Sequence, residues 1–265
     1  MLGIDVSYAQ GRIDWEKLKK TDISFAIIKA SQGKPLSSPA GSPFTDPRFY
    51  ENVKGATGIH VPVGAYHYLC ASSVQEAERE ADYFLGVLSR VREDIALYAA
   101  CDCEEEKYLP KDRNMLTSVV RAFCERVKKG GYKPILYTNP NYLVYKLNRS
   151  AVADIPMWLA YWNVPEATAK KYNPVIWQRG KKKILGTWTD VNEGYFTLPQ
   201  EKDEGIRAGD RVKVLKPLVY GTNKKFAAYF SEYDVISVAG DRAVIGIGQT
   251  VTAAVDVRNL VKCGS

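Results

Sequence analysis

Histidine is nearly absent from this sequence, with two in 265 residues, and cysteine appears as an odd five. Neither His60 nor His67 has the serine or cysteine context of a nucleophile triad, or the ligand spacing of a metal site, so both are expected to be structural. Cys101 and Cys103 lie two apart, a spacing that fits neither a disulfide framework nor a paired zinc site. The cysteines are therefore expected to be reduced, most of them packed in a core, and no metal or cofactor is expected. No stretch approaches the roughly 18 consecutive apolar residues of a membrane helix, so membrane insertion is not expected. The opening Met1-Leu2-Gly3-Ile4-Asp5-Val6-Ser7 lacks the basic start, apolar run and small-residue cleavage site of a secretory leader, which points to synthesis in the cytoplasm. Zinc-finger spacing and RNA-recognition signatures are missing, and the basic residues are scattered, so nucleic acid is not the expected partner. Gly246-Ile247-Gly248 opens no helix and is not a dinucleotide loop. Internal repeats and low-complexity tracts are missing too, which excludes a solenoid.

What is present is an ordinary globular composition, 46% hydrophobic and 25% charged, with a net charge of +7 that favours anionic partners. From Gly3 to about Asp190, short β-forming runs alternate with helical patterns, the signature of a parallel sheet covered by helices. The predicted strands are Leu2–Val6, Ile23–Lys29, Val61–Tyr68, Ile95–Cys101, Pro134–Tyr137, Met157–Trp162, Val175–Gln178 and an eighth ending near Asp190. Eight strands suggest a closed barrel. A helix starts at Ser73, whose side chain caps it while Glu76 reaches back, and its apolar positions Val74, Ala77, Ala81, Phe84 and Leu88 keep helical spacing. Another runs from about Lys111 to Lys129 and stops at Gly130-Gly131, and Asp46-Pro47 reads as a cap with proline at the first helical position.

After Phe196 the pattern changes. Pro199 and the charged stretch Glu201 to Gly205 mark a linker, placed at 198–207 between a first domain, 1–197, and a second, 208–265. The second is expected to be a small β barrel with strands Val212–Leu215, Phe226–Phe230, Val235–Val238, Ala243–Ile247 and Val251–Val257. Residues 206–265 hold nine Lys or Arg against five Asp or Glu, so +4 of the total +7 falls there.

In the segment Tyr98-Ala99-Ala100-Cys101-Asp102-Cys103-Glu104, strand alternation puts Asp102 and Glu104 on one face and the two cysteines on the other. Two carboxylates close together in a low-dielectric cleft cannot ionise equally, and the one that keeps its proton can act as a general acid on a glycosidic bond. Taken alone, the motif fits a solvated acidic turn better, since Glu105 and Glu106 follow. Asp5 at the end of the first strand and Asp190 at the end of the last strengthen it, because parallel strand ends converge on the face of a barrel where active sites lie. Lys29 ends the apolar run Phe25 to Ile28 and is a candidate partner for these carboxylates, with snorkelling to solvent an equal alternative. Tyr66, Tyr137, Trp158 and Trp162 stand at or beside strand ends as candidate walls for sugar faces, although single aromatics at such positions are usually core.

These residues converge on a family. The first 195 or so resemble glycoside hydrolase family 25, the Chalaropsis-type lysozymes of phage endolysins and bacterial autolysins. The resemblance rests on Gly3-Ile4-Asp5-Val6-Ser7 with Gln10-Gly11, Phe25-Ala26-Ile27-Ile28-Lys29-Ala30, Asp46-Pro47-Arg48-Phe49, Gly64-Ala65-Tyr66-His67-Tyr68, Asp102-Cys103-Glu104, Trp158-Leu159-Ala160, Trp177-Gln178 and Asp190-Val191-Asn192. It implies a TIM-like (β/α) barrel that cuts the β-1,4 bond from N-acetylmuramic acid to N-acetylglucosamine in peptidoglycan. Glu104 would be the proton donor and Asp102 its partner, either nucleophile or guide of the substrate's acetamido group. Asp5 and Asp190 would complete the acidic set, and Lys29, Tyr66, Tyr137 and Trp162 would bind substrate. The chain reads Ser31-Gln32-Gly33 where the family commonly has Thr-Glu-Gly, and carries a Ser- and Pro-rich insert from Lys34 to Pro43. The tail resembles, less specifically, Src-homology-3-like wall-binding domains, whose positive charge would suit an anionic Gram-positive wall. The implied partner is thus the cell wall, reached from the cytoplasm once the membrane is opened. Two alternatives stay open: a non-catalytic wall-binding protein, and a glycosidase acting on another acetylated glycan such as chitin.

Overall fold

The computed structural model describes residues 1–33, 42–198 and 205–263. The chain divides into two compact units, residues 1–199 and 200–265. In the first unit, strands β1 (Leu2–Val6), β2 (Phe25–Gln32), β3 (Phe44–Thr45), β4 (Val63–Tyr68), β5 (Ile95–Asp102), β6 (Lys133–Thr138), β7 (Met157–Ala160), β8 (Ile176–Ile184) and β9 (Thr187–Gly194) form one sheet. Its order is β1-β9-β8-β7-β6-β5-β4-β2-β3, and a further pairing of β1 with β2 closes eight of the strands into a barrel, leaving β3 as an appendage on β2.

Strand alternation sorts the side chains. On β1 and β2, Ile4, Val6, Ala26, Ile28 and Ala30 point outward into a large core shared with the covering helices. Phe25 and Ile27 point inward, where they join Leu97, Ala100, Ile135, Tyr137, Trp158 and Ile176 in a separate interior cluster. That places Asp5 and Lys29 in the inward row. Gly3 is required at the foot of this row, because a Cβ there would lie 2.3 Å from the Phe25 ring. Phe25 in turn meets Phe196 edge to face at 5.2 Å, so aromatic rings fill the barrel floor. The upper end is left for polar groups.

Helix α1 (Trp15–Leu18), α2 (Phe49–Gly58), α3 (Val74–Leu88), α4 (Arg113–Lys129) and α5 (Glu166–Lys170) surround the barrel. Ser73 caps α3 by accepting the Glu76 N–H, but the Glu76 carboxylate reaches Ser72, whose N–H and hydroxyl donate to it at 2.8 and 2.6 Å. Asp112 caps α4, which ends at Gly130 with Gly131 at φ +85°. Asp46 does not start a helix at Pro47: its two carboxylate oxygens accept from Arg48 N–H and Tyr8 N–H, and α2 begins at Phe49. Among the described residues no helix is long and apolar enough to cross a membrane.

The barrel departs from the all-parallel TIM-like pattern at its last strand. β8 and β9 form an antiparallel hairpin, and β9 runs antiparallel to β1 with Asp5 opposite Asp190. Asp190 therefore sits inside a returning strand rather than at a parallel strand's end. It still reaches the bowl, because cross-strand partners share a face. The strand expected to run to Trp162 ends at Ala160, and the one expected to stop at Gln178 continues to Ile184.

The second unit holds an antiparallel sheet of β10 (Arg211–Val214), β11 (Tyr233–Ala239), β12 (Arg242–Ile247), β13 (Thr250–Asp256) and β14 (Leu260–Lys262), in the order β13-β12-β11-β10-β14. Val212, Tyr233, Val235, Ala243, Ile245 and Val255 are its buried core. Phe226–Phe230 forms no strand; Leu260–Lys262, unexpected from sequence, supplies the fifth by pairing with β10. The insert at 34–41 and most of the expected linker, 199–204, lie outside the described residues.

Candidate active site

Two tryptophans and a tyrosine fix the floor of the polar bowl. Indole N–H groups only donate. Trp158 Nε1 donates to Asn192 Oδ1 at 2.7 Å, which turns the Asn192 amide nitrogen toward Asp5 Oδ2, at 2.8 Å. Trp162 Nε1 and the Tyr137 hydroxyl donate to Gln178 Oε1 at 2.8 and 3.0 Å, and this aims Gln178 Nε2 at the same Asp5 oxygen, 3.0 Å away. Both amide orientations follow from their donors. Asp5 thus receives two hydrogen bonds on one oxygen, yet burial first, and the neighbouring Asp190 second, raise its carboxyl to about 7.

The other three carboxyls crowd the same space. Asp102, at the end of β5, is buried, and its Oδ1 accepts no hydrogen bond. Burial, and then Glu104, push it well above the usual carboxylate range, while the Lys29 charge opposes them. Glu104 lies just past the strand and is exposed at the mouth of the bowl. Even so, enough protein surrounds its carboxyl for desolvation to raise it, against a lowering hydrogen bond from Tyr137. The Tyr137 hydroxyl has one proton and two acceptors in reach, Gln178 and Glu104, so it serves one at a time. Asp190 is raised chiefly by burial; Lys181, with its Nζ at 3.8 Å, opposes this.

Lys29 is buried beside the acids, with its Nζ 2.7 Å from Gln32 Oε1 and 5.0 Å from the centre of the Tyr68 ring. Burial lowers its affinity for a proton, and Asp102 restores part of it. Its nearest hydrogen-bond partner is a neutral amide, so the charge that balances Lys29 is the bowl's own. Half-buried Tyr66 stands edge-on to Trp158 at 6.1 Å, with Asp5 and Asp102 close enough to raise its hydroxyl further above its ordinary range than burial alone.

All eight candidate residues therefore border one bowl, though in different ways. Asp5, Asp102, Asp190 and Lys29 line the interior, Glu104 stands at the mouth, and Tyr66 and Tyr137 form the wall. Trp162 lies past the end of β7, 41% exposed, with Lys181 Nζ 5.3 Å above its ring. Trp158 is not a sugar wall: only 2% exposed, it is a buried donor that orients Asn192. Asn192 and Gln178 were not singled out in sequence as site residues. Their role depends on the register that sets β8 and β9 beside β1, and the only trace of it was their place in the motifs Trp177-Gln178 and Asp190-Val191-Asn192.

His67 is structural, as expected, but not isolated. On the outer face of the barrel its Nδ1 lies 2.8 Å from Ser31 Oγ and its Nε2 3.0 Å from Glu80 Oε2, which also accepts the Cys70 N–H. The three side chains are buried, so the arrangement braces β2, β4 and α3 against one another behind Lys29 and Tyr66. A Cβ on Gly33 would fall 2.2 Å from the Glu80 carboxylate, which accounts for the glycine. All five cysteines are free; Cys101, Cys103 and Cys124 pack in the outer core.

Comparison with known proteins agrees with this geometry. Residues 4–186 match the family model described as Glycosyl hydrolases family 25. The chain is 29% identical over 164 residues to the autolytic lysozyme of Clostridium acetobutylicum, covering 62% of this chain and 46% of that one. It is 29% identical over 208 residues to lysozyme M1 of Streptomyces globisporus, covering 73% of this chain and 67% of that one. The chain thus spans about half to two thirds of the length of these curated relatives. Among solved structures, a family 25 glycosyl hydrolase from Bacillus anthracis superposes with a TM-score of 0.59 at 25% identity, covering 77% of this chain and 91% of that one.

Proposed function

The chain belongs to glycosyl hydrolases family 25, and from that premise we propose that its barrel is a muramidase, hydrolysing the β-1,4 bond between N-acetylmuramic acid and N-acetylglucosamine in peptidoglycan. The observation that supports this most is the division of labour between Glu104 and Asp102. Glu104 is raised by desolvation yet open at the mouth, so it can hold a proton and still reach the glycosidic oxygen of a bound glycan. Asp102 is buried, pushed toward its neutral form, and has an acceptor oxygen without a partner. A neutral carboxyl is a poor nucleophile but can accept the N–H of an acetamido group, steering that group to assist the leaving of the aglycone. We therefore favour acetamido guidance over direct attack for Asp102. In their ionised forms Asp5 and Asp190 supply a negative field that stabilises the oxocarbenium-like charge as it develops. Lys29, Tyr66, Tyr137 and Trp162 bind the sugars.

For the second unit we propose wall attachment by a Src-homology-3-like domain. Its antiparallel sheet and the excess of four positive charges over residues 206–265 support binding to an anionic Gram-positive wall. The whole would act as an endolysin. Digestion of purified cell walls with mass spectrometry of the fragments tests the reaction: new reducing N-acetylmuramic acid ends support it, and fragments bearing only freed amino groups refute it. Co-sedimentation of full-length protein and of residues 1–198 with walls tests the attachment, which predicts weaker retention of the shorter chain.

A further inference from the structure

The β8–β9 hairpin runs well past the bowl. Its register pairs Gly180 with Val191, Lys181 with Asp190, Lys182 with Thr189, Lys183 with Trp188 and Ile184 with Thr187. Directly opposed residues share a face, and faces alternate along the ladder. Since Asp190 faces the bowl, Lys181, Lys183 and Trp188 lie on that same face and extend its wall outward. Two contacts agree: Lys181 Nζ is 3.8 Å from Asp190 and 5.3 Å from the centre of the Trp162 ring. Thr189 and Val191, on the opposite face, are buried. The turn is Leu185-Gly186, with φ +48° and +89°, both central residues in the left-handed region as a tight two-residue hairpin turn requires. The strands are thus held in register to their tips.

The surface so built is both aromatic and cationic. Trp188 is 63% exposed and Trp162 41%. From Arg179 to Trp188 the sequence carries four cations and no acid. Among the described residues Lys183 takes part in no ion pair, so its charge on this face is available to a ligand. An indole face suits a sugar ring, and ammonium groups beside it suit carboxylates attached to that ring's substituents.

We propose that this hairpin face is a subsite for the acidic stem peptide that muramic acid carries, and that it makes the enzyme select peptide-bearing peptidoglycan over neutral acetylated glycans. The inference rests on the muramidase reading and extends it from the scissile bond to the substituent next to it. Trp188 and Trp162 cover sugar faces, and Lys183, with Lys181 behind it, holds a peptide carboxylate.

The test compares wild type with a Lys183→Gln variant on three soluble substrates. These are uncrosslinked peptide-bearing glycan strands, the same strands stripped of peptide by an amidase so that only lactyl carboxylates remain, and chitin oligomers. On peptide-bearing strands, kcat/KM of the variant is expected to fall about three- to five-fold, mainly through KM, which is the scale of one lost surface ion pair. On stripped strands the loss is expected to stay below about two-fold. Lys183→Arg keeps the wild-type value, and thermal melts confirm that each variant folds. An equal loss on both kinds of strand overturns the proposal, because the hairpin would then read the sugar or the lactyl group. No loss on either overturns it as well. Failure of wild type to cut any strand sinks the muramidase reading instead, so the two failures are distinct.

Discussion

The Asp5→Asn variant is expected to gain stability as the pH rises while losing activity. Asp5 is buried and raised to about 7 from an ordinary value of 3.8, a difference of about 3 pH units. In the unfolded chain the carboxyl ionises near its ordinary value, whereas the folded protein resists until about 7. Below about pH 4 both states hold the proton and Asp5 contributes no penalty. Between about pH 4 and pH 7 the unfolded state releases its proton first, so the wild type loses stability as pH rises, by up to about 4 kcal/mol at 1.4 kcal/mol per unit. Asparagine has no charge to bury, and its carbonyl can take the place of Oδ2 as acceptor for Gln178 and Asn192. The gap in unfolding free energy between variant and wild type should therefore widen in the variant's favour by about 2–4 kcal/mol from pH 4 to pH 8. All five tryptophans lie in the first unit, so urea unfolding followed by their fluorescence reports on the barrel alone. A gap that stays flat with pH, or widens toward the wild type, would refute the account of Asp5.

Other consequences are open to direct measurement. Trp158→Phe removes the donor that orients Asn192, leaving a buried carbonyl unpaired; denaturant unfolding should show a loss of about 1–3 kcal/mol, with activity reduced as well. His67→Ala strips partners from Ser31 and Glu80 in the buried brace, and should cost about 3–5 kcal/mol in the same assay. Tyr137→Phe deletes the hydrogen bond that lowers Glu104, so the alkaline limb of the pH–activity profile, where the acid loses its proton, should move to higher pH. Gly3→Ala drives a methyl into the Phe25 ring and should destabilise the barrel by about 1–3 kcal/mol, read as a lower Tm.

Much of the barrel could be read from its apolar rhythm. β1 and β2 alternate cleanly, and their inward polar residues, Asp5 and Lys29, stand out because little except a functional bowl or a partner keeps such groups inside. The strand parity that buries Cys101 and Cys103 on the outer face turns Asp102 into the bowl, whereas Glu104 lies past the strand end and stands exposed at the mouth. The return of β9 was harder to foresee. The run Lys181-Lys182-Lys183 has no apolar face to announce a strand, and what holds it extended is pairing with β9. Gln178 and Asn192 were missed because a neutral amide in a strand has no signature until register brings it against a carboxylate. In the second unit, Phe226–Phe230 has the composition of a strand but not the pairing, whereas Leu260–Lys262, only three residues long, is a strand because β10 lies beside it.

The central claim is that Glu104 is the acid that cleaves the glycan while Asp102 guides the reacting sugar. It is tested most directly by following release of reducing N-acetylmuramic acid ends from purified peptidoglycan by wild type, Glu104→Gln and Asp102→Asn, with fold and wall binding checked in parallel. The account predicts that Glu104→Gln binds walls as wild type does and releases ends at least about 100-fold more slowly, the scale of a lost general acid. Glu104→Gln releasing ends at the wild-type rate would contradict it.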